Sequence, residues 1–269
     1  MKQIVLCVAV ILMAAVVPVQ AQDELHGSVD LTFQSKYIWR GFDVYGDKSA
    51  IQPSVTLDLM GTGFGISMMG HRANSSGYED GERWDYTLFY KNALFDGESY
   101  ATQYMLGWVY YNYPDMSKDV ADLQEIHAVM SWPSILPVEG LVPTYVLVKL
   151  WPAYSDSMVG SRSPTCGTAS GFAHIFMLDY GLPVEGLIPD VPEQVLRLHS
   201  EFVFNDGVDP RGIGVDHDWS NAVFGVATDF ELAENVTLTP GIYYQITMDK
   251  TVNPDKDETW FTLGMKYEF

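Results

Sequence analysis

The feature that most constrains this chain is a period of two. From Leu25 onward, Leu25, Gly27, Val29, Leu31, Phe33, Tyr37 and Trp39 fall on one side of an extended backbone. His26, Ser28, Asp30, Thr32, Gln34, Lys36 and Arg40 fall on the other. Successive side chains of a strand point to opposite faces, so this segment reads as a strand with one apolar and one polar side. The last segment repeats the device: Phe261, Leu263, Met265, Tyr267 and Phe269 alternate with Thr262, Gly264, Lys266 and Glu268. Beyond the first two dozen residues no apolar run approaches the roughly 20 residues of a spanning helix, and helical spacing is absent over long stretches.

Ten more candidate strands lie near 50–60, 64–71, 84–92, 100–112, 123–132, 144–151, 172–181, 195–205, 221–232 and 236–248, giving an even twelve. Their length approaches the roughly 9–11 residues a tilted strand needs to cross a bilayer core. Connections alternate between short (Gly61–Gly63, Ala233–Asn235) and long and polar (Ala73–Arg83, Pro152–Ser170, Gly207–Trp219, Asp249–Glu258). Short turns on one rim and long loops on the other characterise outer-membrane barrels. The expected fold is therefore all-β: a closed antiparallel transmembrane β-barrel of about 12 strands, with short periplasmic turns and long extracellular loops. A soluble β-sandwich would consume the same alternation in its core. Pro53 and Pro240 argue mildly against their strands, because proline donates nothing to a ladder. The repeat LPVEGLVP at Leu136–Pro143 and LPVEGLIP at Leu182–Pro189 is spaced for two strands and two connections, which places both copies on one rim as duplicated turn chemistry.

The first 21 residues have the form of an export leader: Lys2, an apolar stretch Ile4–Val17, then Val19, Gln20 and Ala21 before Gln22. Residues 22–269 then form a single barrel domain in the outer membrane. Cys7 leaves with the leader and Cys166 stays unpaired, so no internal disulfide is expected. With 15 basic and 35 acidic residues, the net charge of −20 argues against a nucleic-acid partner. Aromatics near strand ends form two interfacial girdles: Tyr37, Trp39, Trp84, Trp108, Trp132, Trp151, Trp260 and Tyr267, with Tyr110, Trp219 and Phe269.

The octet Ser35, Lys36, Tyr37, Ile38, Trp39, Arg40, Gly41 and Phe42, at the top of the first strand, resembles the signature of the TorF-like porin family of exported proteins. The terminal Phe269, with Tyr267 two residues before it, is similar to the signal by which barrel assembly machinery recognises outer-membrane proteins. The resemblance implies an outer-membrane β-barrel of Gram-negative type and names no solute. Read physically, Tyr37 and Trp39 face outward at the upper interface, Lys36 and Arg40 point into the lumen, and Gly41 releases the chain into a loop.

Alternation assigns the lumen Asp30, Lys36, Arg40, Asp58, Asp85, Lys91, Glu125, Lys149, Asp179, Arg197, Glu201, Asp229, Lys266 and Glu268. These charges describe either a pore that selects solutes or a salt-bridged plug. No catalytic residue is assigned. His217, Asp218, Ser220 and Asn221 invite comparison with outer-membrane phospholipases, but two residues separate His217 from Ser220 where alternation on one strand needs one. Asp206, Asp209, Asp216 and Asp218 crowd one segment, and such acidic loops offer oxygen ligands to divalent cations such as Ca²⁺; a solvated acidic loop is the simpler reading. The six histidines show no metal-ligand spacing, so no metal site and no cofactor are expected. Gly61, Gly63 and Gly65 fit a tight turn better than a phosphate loop. The leading functional expectation is a barrel passing small hydrophilic solutes with a mild cation preference, in contact with outer-membrane lipid and lipopolysaccharide. The alternatives are a closed structural or adhesive barrel and a secreted soluble glycan-binding protein.

Overall fold

The computed structural model describes residues 25–153, 170–187, 193–208, 214–250, 252 and 256–269. The expected leader lies outside these residues, as do Cys166 and Asp209. Twelve barrel strands follow one another: β1 (His26–Gln34), β2 (Ala50–Asp58), β3 (Phe64–Ala73), β4 (Arg83–Leu94), β5 (Thr102–Asn112), β6 (Leu123–Ser131), β7 (Leu141–Pro152), β8 (Ser170–Glu185), β9 (Glu193–Val208), β10 (Gly214–Thr228, continued by Phe230–Ala233), β11 (Val236–Thr247) and β12 (Glu258–Glu268). Each pairs antiparallel with its sequence neighbours, and β1 pairs with β12 from Ser28↔Glu268 to Gln34↔Thr262. Gly27 N–H donates to Phe269 O at 2.9 Å and Phe269 N–H returns to Gly27 O at 3.0 Å. The cylinder is sealed, so no strand is left with an unpaired edge.

Its residue distribution is inverted relative to a soluble protein. Val29, Leu31, Ile66, Leu88, Phe176, Ile242, Phe261 and Leu263 lie exposed on the outer wall, whereas Gln52, His71, Arg83, Glu125 and Gln245 are buried within. A continuous apolar exterior of this extent is untenable in water and natural in lipid. This excludes the sandwich, which would have hidden the same apolar side chains between two layers.

Both expected prolines sit where the ladder breaks. The β2–β3 register skips Gln52 and Pro53, and the Gln52 side chain bonds His71 Nδ1 at 2.7 Å instead. Pro240 faces the interruption at Asp229 between the two parts of β10. Beside it, β9 and β10 run on to Val208 and Gly214, so most of the expected loop Gly207–Trp219 is strand. The first copy of the repeat and the described part of the second, residues 182–187, lie on the short-turn rim, in different conformations. Leu136–Gly140 is a turn leading into β7, while Leu182–Glu185 completes β8. They meet where Gly181 N–H donates to Gly140 O at 3.0 Å.

The largest departure from the alternation is at the start. β1 ends at Gln34 rather than near Arg40, because Ser35 puts a polar residue on the lipid side and spends its hydroxyl accepting from Phe261 N–H at 2.9 Å. The chain then turns inward. Ile38–Trp39 pairs with Phe42–Asp43 in a small hairpin whose two-residue turn is Arg40 (φ 50°) and Gly41 (φ 90°). Positive φ at both central positions is the geometry that suits the right-handed twist of a tight hairpin.

Candidate functional site: the lumen and its inward hairpin

The segment from Ser35 to Ser49 packs into the long-loop mouth of the barrel. Tyr37 is 3% exposed and stacks on His71 of β3 with centroids 4.9 Å apart; Phe42 and Tyr45 are wholly buried. Tyr37 and Trp39 therefore line the interior and are not part of an outer girdle. Arg83, first residue of β4, anchors them. Its guanidinium lies 3.8 Å from the Trp39 ring centroid and 4.8 Å from that of Tyr111, donates to Tyr37 Oη at 2.8 Å and pairs with Asp85 at 2.7 Å. Asp85 also meets His71 Nε2 at 2.9 Å. Burying a cation is tolerable only with this density of partners.

At the hairpin tip Arg40 donates to Glu125 of β6, a carboxylate 3% exposed that also accepts from Tyr111 Oη–H at 2.8 Å. Gly41 is wedged against the opposite wall. A Cβ there would lie 2.7 Å from Asn221 Oδ1 and 2.8 Å from Val252 Cγ1, and Gln245 Nε2 donates to Gly41 O at 2.7 Å. The hairpin thus reaches from the β1–β2 wall across to β6, β10 and β11.

A second set of ion pairs lies at the rim. Lys36 Nζ is 2.6 Å from Asp47 and 2.5 Å from Glu258, and Lys256 Nζ is 2.8 Å from Asp47 and 3.2 Å from Glu258. Asp43, Asp47 and Glu258 bring carboxylate oxygens within 4.8 Å of one another, but the two ammonium groups already supply the countercharge. Lys256 and Lys36 hold the Asp47 carboxyl down from its ordinary 3.8 to about 2. A carboxylate depressed in the folded state contributes its stabilisation fully above its unfolded value and loses it as pH falls through the folded one. The contribution is small because Asp47 is half-exposed. Cleavage by pepsin within Ser35–Ser49, relative to an unstructured control peptide, is expected to rise modestly from pH ~4 to pH ~2 in the parent protein and to change less in Asp47→Asn; the same relative rise in both would contradict this clasp.

Toward the short-turn rim the lumen opens into a polar vestibule ringed by charge pairs. Asp58 meets Lys91 at 2.9 Å, Asp179 meets His199 at 2.7 Å, Arg197 meets Asp229 at 2.9 Å, and Lys266 meets Glu268. Asp30, bonded to Ser28 Oγ, and Glu201 face the same space. Of the residues that alternation assigns to the lumen, only Lys149 is on the wrong side. Val148 and Leu150 are its inward neighbours, and Lys149 lies outside with its ammonium 4.4 Å from the Phe172 ring centroid. A long lysine near the mouth can carry its charge along apolar surface to the headgroup level, which explains its tolerance there.

Trp84, Trp108, Trp132, Trp151, Trp219, Tyr267 and Phe269 have the outward parity of their strands; Trp84 covers Gly70, and Tyr267 stacks on Phe269 at 6.2 Å. Trp260 does not join them. It shares the inward parity of Glu258 and Thr262 and stacks on Tyr243 at 5.4 Å, in a space left by Gly225. Ser220 is the extra residue of a bulge between Val203↔Asn221 and Phe204↔Trp219, and donates to Asn221 Oδ1 at 2.7 Å. His217 pairs with Asp206 instead, and no other base among the described residues is seen to bond that hydroxyl.

Arg83 and Glu258 are among the lumenal residues that the sequence leaves unassigned. Arg83 precedes its expected strand by one position and Glu258 closes the expected loop Asp249–Glu258; carrying inward parity back from Asp85 and from Thr262 finds them.

No family model matches the chain, and no curated protein matches it by sequence. Among solved structures, the barrel is similar to a KdgM porin in complex with disordered oligogalacturonate: identity is 10%, the TM-score 0.50, and the match covers 90% of this chain and 99% of that one. It is also similar to an outer-membrane channel from Pseudomonas putida F1, with 13% identity, a TM-score of 0.54, and coverage of 94% and 97%. The fold is that of an outer-membrane channel barrel. At such low identity the likeness extends to the architecture alone.

Proposed function

We propose that this barrel is a channel of the TorF-like porin kind, through which small hydrophilic solutes diffuse passively with a preference for cations. The observation that carries this reading is the wet, charge-lined vestibule inside a lipid-facing cylinder: Lys91, Asp179 and Arg197 remain about half exposed although they point inward. A plug would have covered them. Among the described residues, the polar and ionic contacts of the hairpin run to β3, β4, β6, β11 and β12, and none of them runs to β7–β9. We assign solute passage to that side. The acidic long-loop rim, which gathers cations and can take up divalent ions beside lipopolysaccharide phosphates, supports the charge preference. Phe269, outward at the seam, is the residue we assign to recognition by barrel assembly machinery, and residues 1–21 are the leader we assign to export.

Purified protein in planar bilayers tests the reading directly. Stepwise conductance in potassium chloride is expected. Silence at every voltage, with the folded barrel intact on a gel, would replace the channel with the second reading, a closed structural barrel. The hairpin wedged across the mouth is the observation that favours that alternative.

A further inference from the structure

Almost every lumenal carboxylate has a cation beside it. Asp58 has Lys91, Asp85 has Arg83, Glu125 has Arg40, Asp179 has His199, and Asp229 has Arg197. A paired carboxylate presents a local dipole to a passing solute, whereas an unpaired one presents a net charge whose attraction reaches much further. Among the described residues, Glu201 has no ammonium, guanidinium or imidazole nitrogen within ion-pair distance. It stands on β9 opposite Met177 and Val223, flanked along its strand by His199 and Val203, and is only partly accessible. The two basic groups that influence it are engaged elsewhere: His199 by Asp179 at 2.7 Å and Arg40 by Glu125.

Its cross-strand neighbours Met177 and Val223 are apolar, no backbone group among the described residues bonds it, and a partly desolvated charge without a paired cation costs stability. Such a group on a transmembrane wall is retained for what passes it. Low-dielectric walls focus its field into the passage beneath the hairpin tip.

We propose that Glu201 is the specificity-determining residue of the channel and that the favoured solutes are small cations, including compounds with a protonated amine. Asp30, whose one bond is to Ser28, adds a weaker contribution nearer the short-turn rim. The proposal rests on the channel reading above, and the experiment separates the two. Reversal potentials are measured in planar bilayers across a potassium chloride gradient for the parent protein, Glu201→Gln and Asp30→Asn, each checked for folding by heat-dependent gel mobility. Glu201→Gln is expected to keep its unit conductance while its potassium-to-chloride permeability ratio falls about threefold or more, with a smaller fall for Asp30→Asn.

A second measurement guards against a folding defect. Glu201→Cys, with Cys166→Ser to remove the native thiol, is modified in the assembled channel. A sulfonate-bearing methanethiosulfonate restores the cation preference, and a trimethylammonium-bearing one inverts it. Conductance with an unchanged ratio in Glu201→Gln, or indifference of Glu201→Cys to the sign of the added charge, overturns the proposal and leaves the channel standing. Absence of conductance in the parent protein overturns both.

Discussion

Arg40→Ala is expected to raise unit conductance several-fold and to shorten closed dwell times. The substitution takes the guanidinium from a carboxylate that is 3% exposed and leaves it only His127 Nδ1, at 3.3 Å, as a basic neighbour. Removing one partner of a buried ion pair costs about 3–5 kcal/mol, here charged against the seated hairpin alone, since an unseated hairpin lets water reach Glu125. A change of about 3 kcal/mol moves a two-state balance by roughly a hundredfold, enough to convert a seated segment into one that is often displaced. Glu125→Gln keeps a neutral acceptor for Tyr111 and for Arg40, and is expected to act in the same direction with a smaller effect. Single-channel recording of both variants measures this. Unchanged conductance in a correctly folded Arg40→Ala barrel would show that the hairpin does not limit flow.

The largest expected loss of stability comes from Arg83→Ala. Four interactions end at once: the stacking on Trp39 and on Tyr111, the bond to Tyr37 Oη, and the pair with Asp85. Asp85 would then depend on His71 alone. About 3–5 kcal/mol is expected, read as a lower urea midpoint for the folded barrel in detergent or vesicles. Arg83→Lys restores the charge but neither the planar stacking nor the forked donation, and is expected to recover less than half of the loss. Full recovery by lysine would reduce the role of Arg83 to that of a point charge.

These residues also show what a period of two can reveal. Strand number, sequence-adjacent pairing and the two kinds of rim were legible, because lipid on one face and water on the other impose the alternation on every strand. Phe261 to Phe269 display it without exception. Failures came where a residue departs from its own strand or sits just beyond it. Tyr37 and Trp39 keep the outward parity of β1 on paper, but the strand has already ended at Gln34 and the pair Arg40-Gly41 turns the chain on itself. An arginine before a glycine is a weak turn signal, and its left-handed conformation is held by a carboxylate 85 residues away in sequence. Trp260 was misplaced because its ring resembles a headgroup anchor, whereas parity with Glu258 sends it to Tyr243. Lys149 was misplaced the opposite way: the alternation was counted with Lys149 inward, whereas Val148 and Leu150 hold the inward parity of β7. The lack of a paired cation for Glu201 among the described residues was not legible at all, since it depends on which partners the closed barrel brings within reach.

The hairpin is made from the beginning of the chain, and many of its partners are made at the end: Asn221, Gln245, Val252, Lys256 and Glu258. Its seat does not exist until the last three strands are in place. A barrel without those strands has neither a closed wall nor a seat for the hairpin. The filling of the mouth and the sealing of the cylinder thus depend on the same carboxyl-terminal segment.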